Sequence, residues 1–242
     1  MPVVAIIPAR YGSTRLPGKP LLDQTGKPLI QHVVEAVSAA RRIEAVYVAT
    51  DDRRIHDAVG AFGGRAIMTR PDHASGTDRL AEAAEKLALA DEDVVVNVQG
   101  DEPEIHPGDV DGLVSLLIDS AAPMATLAAP LDEVAASAPD NVKVVRARDG
   151  SAMYFSRARI PYDREGKGAQ YLLHLGIYAY RKKFLLAFAS LPPSLAETTE
   201  RLEQLRALEN GYRIAVGVVG SAAPGIDTMD DYNAFVERMK DK

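Results

Sequence analysis

The sequence predicts an α/β fold: a doubly wound, mostly parallel sheet with an antiparallel extension. Three observations lead to this prediction. Short apolar runs alternate with amphipathic segments over residues 1–120, the pattern of strands joined by crossover helices. These runs are continuously apolar and rich in valine and isoleucine, which is typical of strands covered on both faces. After Pro123, apolar runs follow one another with little helical sequence between them, as in an antiparallel sheet.

Each element of the first half follows from its own periodicity or end signal. Apolar residues from Leu29 to Ala40 recur at helical spacing behind Pro28, a residue favoured in the first turn of a helix. The paired glycines Gly63 and Gly64 end the next helix. The predicted strands are 3–7, 45–49, 65–68 and 93–98, and the predicted helices are 28–42, 54–62, 77–89 and 110–118.

The second half is predicted to contain more strand. Its predicted strands are 124–129, 142–147, 152–155, 172–180 and 213–219, and its predicted helices are 182–189, 195–210 and 230–239. The polar, glycine-containing stretch 163–170 is predicted to be a mobile loop. We interpret residues 1–242 as a single domain, within which approximately 123–190 form the antiparallel extension.

Composition and charge exclude several classes of protein. Apolar residues make up 47% of the chain and charged residues 26%, which allows a folded core and argues against disorder. The net charge of −6 disfavours a broad nucleic-acid-binding face. No apolar run approaches the roughly 18 residues of a membrane span, and no basic segment marks a signal peptide. The chain has no cysteine, which excludes disulfides and thiolate catalysis and fits a reducing compartment.

A basic loop follows the first predicted strand, at the strand end where open α/β sheets bind ligands. It contains Arg10, Arg15 and Lys19 and no acidic residue, so it can neutralise a polyanion such as a phosphate chain. A solvated loop with incidental basic residues is the alternative. Its two glycines are too far apart for a Walker motif, and proline follows Lys19. The loop also lacks the G-x-G-x-x-G fingerprint, which disfavours an NAD-dependent oxidoreductase.

Two carboxylates also lie just beyond predicted strands. Asp101 follows the fourth strand beside a glycine, a position where magnesium is commonly held against phosphate. A simple turn is the alternative for this stretch. Asp227 precedes the last helix, and because Thr228 and Asp231 can cap that helix, Asp227 is available for a ligand. Asp51, which follows the second strand, is the reserve candidate for a metal ligand.

The chain as a whole resembles one enzyme family. The motifs PARYGSTRLPGKPL, SGTDRL, NVQGDEP, NVKVV, YFSRARIP, LHLGIYAYR, LEQLRALENG and GIDTMDD occur in this order over residues 3 to about 235. Together they resemble the 3-deoxy-manno-octulosonate (Kdo) cytidylyltransferases, also called CMP-Kdo synthetases. The first motif is shared by many sugar nucleotidyltransferases, whereas the combination of NVQGDEP, FSRARIP and HLGIY is much more specific. The resemblance implies a fold of the nucleotide-diphospho-sugar transferase type.

The activity that the resemblance implies is transfer of CMP from CTP to Kdo, with release of pyrophosphate, for lipopolysaccharide biosynthesis. Attack by the anomeric hydroxyl of Kdo on the α-phosphorus would be catalysed mainly by positioning and charge neutralisation. The family's catalytic positions correspond to Lys19, Asp101 and Asp227, and the two aspartates would bind Mg²⁺. No side chain stands out as a dedicated general base, so we expect the metal to activate the sugar hydroxyl.

The resemblance also assigns binding residues. Those that would hold CTP are Ala9, Arg10, Ser13, Arg15, Lys19, Ser75, Gly76, Thr77, Asp78, Arg79 and Gln99. Those that would hold the sugar are Arg157, His174, Tyr178, Glu203 and Gln204. Position 78 is frequently glutamate in the family, so Asp78 is a departure that keeps the charge and shortens its reach.

The local pattern around the sugar residues admits other interpretations. If 173–179 is a strand, His174 and Tyr178 share one face, although a histidine on a strand is more often a structural hydrogen-bonding residue. Glu203 and Gln204 lie off the leucine stripe of their predicted helix, which by itself indicates a solvated face. Arg157 suits a sugar carboxylate, and the neighbouring arginine at position 159 is its competitor.

Two other functions stay open at this stage. A cytidylyltransferase for 8-amino-Kdo or a related acidic sugar would carry the same kind of site. A non-catalytic nucleotide-binding regulatory module is disfavoured by Asp101 and Asp227, because sensing a nucleotide needs no catalytic metal pair. The resemblance further implies a cytoplasmic homodimer formed through the extension after residue 123, with no nucleic-acid or membrane partner.

Overall fold

The computed structural model describes residues 1–12, 16–73 and 75–240. The chain divides into two compact units, one formed by Met1–Asp111 with Ala223–Lys242 and the other by Gly112–Ala222. We call them the first unit and the second unit. The second unit contains the whole of the predicted extension 123–190 and continues beyond it at both ends. The single-domain organisation stays a prediction.

The bounds of the elements follow chain order. The strands are β1 (Val3–Ala9), β2 (Ala45–Thr50), β3 (Arg65–Met68), β4 (Val94–Asn97), β5 (Met124–Leu131), β6 (Lys143–Arg146), β7 (Ala152–Ser156), β8 (Tyr171–Arg181) and β9 (Ile214–Val218). The helices are α1 (Leu29–Ser38), α2 (Arg53–Ala61), α3 (Gly76–Lys86), α4 (Pro107–Asp119), α5 (Glu133–Ala136), α6 (Lys182–Ser190), α7 (Leu195–Glu200), α8 (Gln204–Glu209) and α9 (Met229–Lys240). A turn of 3₁₀ helix covers Lys19–Leu21.

The first unit contains the parallel sheet that the sequence predicts. Its strands run in the order β3-β2-β1-β4 and every pair is parallel, with Val4 opposite Ala45 and Val3 opposite Val94. The chain runs outward from β1 to β3 and then returns to β4 on the other side of β1. The carboxyl ends of β1 and β4 therefore form the topological switch point, where open α/β sheets bind their ligands.

The last helix packs against the segments that carry the basic loop. Tyr232 and Phe235 of α9 are fully buried, and their cluster includes Leu16, Leu29 and Ile226. The hydroxyl of Tyr232 also accepts a hydrogen bond from the backbone nitrogen of residue 24 at 2.8 Å. Burial of such side chains stabilises by roughly 1.5–3 kcal/mol each, so α9 fixes the chain on either side of Lys19.

The second unit has a mixed sheet in which antiparallel pairs predominate. Strand β5 pairs antiparallel with β8 and parallel with β9, and β6 pairs antiparallel with β7. The predicted antiparallel extension is therefore confirmed as an arrangement of strands. The register of β5 and β8 shifts between Thr126, opposite Tyr178, and Leu127, opposite Leu175. Gly176 and the residue after it form a bulge at this point.

The predicted continuous helix over 195–210 is wrong. The chain breaks it into α7 and α8 at Arg201, whose φ of 56° is left-handed. The guanidinium of Arg206 crosses the break and binds the carboxylate of Glu197 through two nitrogens, at 2.9 and 2.8 Å. Helical periodicity continues through this stretch, so hydrophobic spacing alone does not reveal the break.

Two short elements were missed, the 3₁₀ turn and α5, because neither spans enough residues to show periodicity. Among the described helices, none combines the length and apolar character that crossing a membrane requires.

Candidate functional site

A cluster of three charged groups lies at the switch point of the first unit. The ammonium of Lys19 donates a hydrogen bond to Oδ2 of Asp101 at 2.7 Å and lies 3.7 Å from Oδ1 of Asp227. It also donates to the carbonyl oxygen of Ile226 at 2.7 Å. The lysine side chain is 11% exposed, whereas those of Asp101 and Asp227 are 31% and 51% exposed. The structure thus brings together the three residues predicted to be catalytic.

The position of Lys19 depends on the glycine before it. Gly18 has a φ of +70°, which favours glycine, and a Cβ atom there would lie 3.2 Å from the ring of Tyr11. The backbone nitrogen of Gly18 donates to the carbonyl oxygen of Tyr11 at 2.9 Å. The guanidinium of Arg54 lies over that ring, 3.4 Å from its centre. These contacts direct the loop so that Lys19 starts its 3₁₀ turn next to the carboxylates.

The two carboxylate segments are joined through the backbone. The nitrogen of Ile226 donates to the carbonyl oxygen of Asp101 at 2.9 Å. Gly100, the residue before Asp101, allows the end of β4 to approach β1, because a Cβ at this position would lie 3.1 Å from the carbonyl oxygen of Pro8. Asp101 and Asp227, far apart in sequence, are therefore held side by side.

The predicted capping of the last helix is confirmed. The hydroxyl of Thr228 accepts from the backbone nitrogen of Asp231 at 3.2 Å, and the carboxylate of Asp231 accepts from the nitrogen of Thr228 at 2.8 Å. This reciprocal arrangement is a capping box. Asp227 is not used as the cap of α9, and its carboxylate lies next to Lys19.

Glu102 is a third carboxyl group at this cluster, which the sequence reasoning missed. Burial raises its pKa to about 7, and the negative charges of Asp101 and Asp227 add to the effect, while Lys19 opposes it. A Cβ at Gly225 would lie 3.5 Å from its Oε1 atom, so the glutamate is next to the segment that carries Asp227. The sequence signal that could have identified Glu102 is its position directly after Asp101.

The cluster suits a cation that needs few protein ligands. Among the described residues, no group of three or more histidine, aspartate or glutamate side chains could hold a metal ion by itself. Two carboxylates nevertheless converge on one ammonium, which occupies the place of a cation between them. Mg²⁺ is usually bound by one or two carboxylates together with water and substrate phosphate. Asp101 and Asp227 fit that requirement.

A cavity of about 180 Å³ opens at the same strand ends. Its lining residues are Pro8, Ala9, Arg10, His73, Ser75, Gly76, Arg79 and Gln99. Six of the residues that the family resemblance assigns to CTP therefore line one cavity. Ser13 and Arg15, assigned to the same role, lie outside the described residues.

The start of α3 forms one wall of this cavity. The hydroxyl of Ser75 accepts from the backbone nitrogen of Asp78, and the carboxylate of Asp78 accepts from the nitrogen of Ser75, both at 3.1 Å. The shortened acid at position 78 thus completes a capping box. Thr77 is buried and does not line the cavity.

The Arg79 guanidinium is held inside the protein. One terminal nitrogen donates to the hydroxyl of Thr69, and the other lies 3.2 Å from the carboxylate of Asp51. The Arg79 side chain is almost completely buried. Asp51, the reserve candidate for a metal ligand, is therefore the ion-pair partner of Arg79.

The second unit brings His174 and Tyr178 together. Their ring centres are 5.4 Å apart, so the predicted shared face is confirmed despite the bulge between them. Nε2 of His174 lies 3.2 Å from the hydroxyl of Thr126, and the histidine ring packs edge-on against Phe155 at 5.0 Å. Burial lowers the pKa of His174 to about 3, so this imidazole is neutral at pH 7.

Burial also raises the pKa of Tyr178 well above its usual range, and the charge of Glu203 adds to the effect. Gln204 is buried, and its Nε2 atom has no hydrogen-bond partner among the described residues. The sequence pattern indicated a solvated face for this position, which is wrong, because Gln204 begins a separate helix after the break at Arg201 and is buried there. An unpartnered buried amide is available to a ligand.

Arg157 is partly engaged within the second unit. Its Nε donates to the carbonyl oxygen of Glu200 at 2.7 Å, and one terminal nitrogen donates to the carbonyl oxygen of Pro139 at 3.1 Å. A guanidinium has five N–H groups, so three are left for a carboxylate. Its competitor Arg159 lies 2.9 Å from the carboxylate of Glu133.

A buried lysine beneath Arg157 was also missed. The ammonium of Lys143 donates to three carbonyl oxygens, those of Ala138, Asn141 and Arg157. Burial lowers the pKa of Lys143, and the positive charge of Arg157 adds to the effect. Its central position in the NVKVV motif, where an apolar residue would suit the strand, was a signal that this lysine is special.

The chain is similar to known proteins over most of its length. Residues 4–214 match the model of the cytidylyltransferase family. A 3-deoxy-manno-octulosonate cytidylyltransferase of Syntrophobacter fumaroxidans is 51% identical over 240 residues, 98% of this chain and 96% of the relative. An 8-amino-3,8-dideoxy-manno-octulosonate cytidylyltransferase of Shewanella halifaxensis is 49% identical, with 99% of each chain covered.

A solved structure also superposes on the whole chain. It is described as CMP:2-keto-3-deoxy-manno-octonic acid synthetase complexed with CTP, and it matches with a TM-score of 0.95 at 48% identity. The superposition covers 100% of this chain and 99% of that structure.

Proposed function

The chain belongs to the cytidylyltransferase family, and on that premise we propose that it transfers CMP from CTP to Kdo. One observation carries the proposal. A buried lysine and two carboxylates converge beyond the carboxyl ends of β1 and β4, where a fold of this type binds its nucleotide. The product, CMP-Kdo, is an activated sugar for lipopolysaccharide biosynthesis.

The reaction forms one bond and breaks one. The anomeric hydroxyl oxygen of Kdo bonds to the α-phosphorus of CTP, and the bond from that phosphorus to the bridging oxygen of the β-phosphate breaks. Pyrophosphate leaves with the bonding electrons, and the hydroxyl proton is lost to solvent. Both reactants are anions, so the residues must first offset their repulsion.

Arg10 and Lys19 supply positive charge for the triphosphate. Two donors of the Lys19 ammonium are used by Asp101 and the carbonyl of Ile226, so its third hydrogen is left for a phosphate oxygen or for Asp227. Because the lysine is almost fully buried, its charge acts in a region of low dielectric and is weakly screened.

The metal in this proposal is Mg²⁺, which Asp101 and Asp227 would hold. When bound, the ion would polarise the phosphoryl oxygens and lower the pKa of the attacking hydroxyl. The two aspartates are the most exposed members of the cluster, so they can exchange the ammonium for a hydrated ion. Lys19 holds these two carboxylates side by side, at the position where they would bind the ion.

The sugar would be held by the polar groups of the second unit. The free donors of Arg157 suit the carboxylate of Kdo, as bidentate arginine contacts do in general. The unpartnered amide of Gln204 and the neutral ring of His174 suit sugar hydroxyls. Tyr178 and Glu203 complete this group of residues.

A second sugar substrate has specific support. The 49% identical Shewanella halifaxensis relative is named for 8-amino-Kdo, a Kdo with an amine in place of one hydroxyl. The test is pyrophosphate release from CTP with Kdo, with 8-amino-Kdo and without sugar. Release only with Kdo supports the main proposal, and preference for the amino sugar supports the second. No release with any acidic sugar would favour a nucleotide-binding regulatory module.

We propose a cytoplasmic homodimer as part of the same function. The absence of cysteine supports a reducing compartment, and the family resemblance supports the dimer. Light scattering of the purified protein tests the oligomeric state, with twice the chain mass expected and the mass of one chain as the contrary result.

A further inference from the structure

We propose that His73, held by Glu82, selects cytosine over uracil in the nucleotide site. The inference rests on the proposed function, because it needs CTP in the cavity of the first unit. Neither residue belongs to the set that the sequence analysis assigned. The argument depends on which ring nitrogen of the histidine is left to face a base.

His73 is a buried member of the cavity wall. Its side chain is 5% exposed, and the residue lines the cavity together with Arg10 and Gln99. Its Nε2 atom is in short hydrogen-bond contact with Oε2 of Glu82, a mostly buried side chain of α3. Among the described residues, no group forms a hydrogen bond with its Nδ1 atom. One nitrogen is thus anchored and the other is left for a ligand.

Glu82 is a carboxylate that stays ionised. Burial by itself raises its pKa, but hydrogen bonds from the ammonium of Lys86, the backbone nitrogen of Arg70 and the ring of His73 lower it to about 2. The Lys86 nitrogen lies 2.7 Å from Oε1, and the Arg70 nitrogen lies 3.0 Å from Oε2. An ionised carboxylate only accepts hydrogen bonds, so Nε2 of His73 carries the hydrogen.

When the imidazole is neutral, this arrangement fixes the polarity of the free nitrogen. In a neutral imidazole with its hydrogen on Nε2, Nδ1 holds a lone pair and accepts. Cytosine presents an exocyclic amino group, a donor, at the position where uracil presents a carbonyl oxygen, an acceptor. An accepting Nδ1 therefore binds the amino group of cytosine and repels the carbonyl oxygen of uracil.

The other polar side chains of the cavity do not discriminate in this way. An amide such as that of Gln99 can rotate by 180° to present either a donor or an acceptor. Arg10 and Arg79 only donate, and Arg79 is already bound to Thr69 and Asp51. The hydroxyl of Ser75 serves the cap of α3. Among the described side chains of the wall, only His73 offers an acceptor whose polarity is fixed.

The size of the cavity agrees with a base and not a whole nucleotide. Pockets that enclose drug-sized ligands have roughly 300–1,000 Å³, whereas this one has about 180 Å³. A pyrimidine ring is the part of CTP that such a cavity suits. The triphosphate would then extend toward Lys19, at the same strand ends.

The first experiment separates the two ring nitrogens. The His73→Gln variant keeps a polar group near the position of Nε2 and loses the one at Nδ1. We expect the ratio of kcat/KM for CTP to that for UTP to fall by about 10- to 100-fold, as for one lost hydrogen bond and one removed repulsion. The control variant is His56→Gln. His56 also pairs with a carboxylate, since its Nδ1 lies 3.2 Å from Oδ1 of Asp57, but it does not line the cavity.

The second experiment reverses the polarity. In Glu82→Gln, the amide can either accept from or donate to Nε2, so Nδ1 can become a donor. We expect kcat/KM for UTP to rise while that for CTP falls, and we expect calorimetric affinities for the two nucleotides, measured without sugar, to converge. Glu35→Gln, on an exposed glutamate that also pairs with a lysine, is the matched control.

The outcomes separate this inference from the proposed function. If the wild-type protein transfers no nucleotide to Kdo, the proposed function fails. If the wild type uses CTP and both variants fold, as shown by circular dichroism, an unchanged CTP-to-UTP ratio overturns the inference. An equal loss for both nucleotides also overturns it, because that result marks a structural residue. A variant that does not fold is replaced by His73→Asn, which keeps a polar group near Nδ1 and should retain part of the preference.

Discussion

The polar side chains that converge in the two units differ in charge and in burial. In the first unit, Lys19 carries a buried charge at the start of a 3₁₀ turn, and Asp101 and Asp227 carry partly exposed charges outside the helices and strands. In the second unit, His174 and Tyr178 are neutral, lie on a strand and pack against other rings. A phosphate chain requires charge to offset its own, whereas the hydroxyls of a sugar can be held by neutral hydrogen-bonding groups and only its carboxylate needs a cation such as Arg157.

This difference predicts how each unit responds to substitution. Removing a partly exposed charge from a loop costs little folding free energy, because water replaces the lost contact. Removing a buried ring from a strand costs both packing and function. We therefore expect the aspartate variants of the first unit to stay folded and inactive, and the His174 variants of the second unit to lose part of their stability as well.

The largest effect should come from the two aspartates. Asp101→Asn and Asp227→Asn keep the shape but remove a full charge, so we expect each to lower kcat by 10³-fold or more, on the order of 4 kcal/mol. The double variant should be little worse than either single one, because residues that act as a unit are not additive. Steady-state kinetics over a range of magnesium concentrations measures both effects.

Asp230→Asn, on the exposed first turn of α9, is the control and should stay active. A folded Asp101→Asn or Asp227→Asn protein with most of its magnesium-dependent activity would show that its carboxylate is only a turn residue. The metal would then need another ligand, for which Asp51 is poorly placed because it pairs with Arg79.

Lys19→Ala should lower kcat/KM for CTP by about 10²-fold, because a desolvated charge contact to phosphate is lost. Without the ammonium, Asp101 and Asp227 also repel each other. We therefore expect magnesium to raise the melting temperature of the variant more than that of the wild type. Lys27→Ala, at an exposed lysine paired with Glu35, is the control. Near wild-type kinetics in folded Lys19→Ala would remove this loop from the site.

His174→Ala should act on the sugar. We expect the KM for Kdo to rise, or kcat to fall, by about 10-fold, as for one lost hydrogen bond to a hydroxyl. The loss of the ring from its contacts with Phe155 and Tyr178 should also lower the free energy of unfolding by about 2–3 kcal/mol. Kinetics and urea denaturation measure these together, and an effect on neither would place His174 outside both site and core.

Acid should distinguish the two units by the pH at which each loses stability. The lowered pKa of His174, about 3 against 6.5, means that its stability contribution is present above pH 6.5 and lost as pH falls toward 3. The pKa of Glu82 is lowered from 4.5 to about 2, so the contribution of Glu82 to stability is lost only as pH falls below 4.5. Glu82→Gln should therefore change the free energy of unfolding by about 1–2 kcal/mol, less than a full shift because of solvent screening.

Urea titrations at pH 7, 5.5 and 4 measure these windows. His174→Gln should lose less stability than the wild type between pH 6.5 and 4.5, whereas Glu82→Gln should parallel the wild type there. Identical pH profiles for all three proteins would contradict the assigned burial of His174.

The same contrast explains what could be predicted from sequence. Charged residues after strands, such as Lys19, Asp101 and Asp227, are visible because cations and carboxylates are rare beside buried apolar runs. The fold class follows from the strand and helix periods, whereas the order of the strands in the sheet was not predicted. Helical periodicity continues through Arg201, so the break there was missed, and with it the burial of Gln204.

Residues that act through a partner were also missed. Glu102 matters because folding brings Asp227 beside it, and His73 because Glu82 anchors one of its nitrogens. Neither partnership has a fixed spacing in sequence. Lys143 is a further case, since its three carbonyl partners come from two separate loops.

The most direct test of this account is the calorimetric affinity for CTP, measured without sugar, in His174→Ala and Lys19→Ala beside the wild type. If the first unit holds the nucleotide and the second unit the sugar, His174→Ala binds CTP as the wild type does and Lys19→Ala binds it at least about 10-fold more weakly. A folded His174→Ala protein that no longer binds CTP, or a Lys19→Ala protein that binds it normally, would contradict the division of roles.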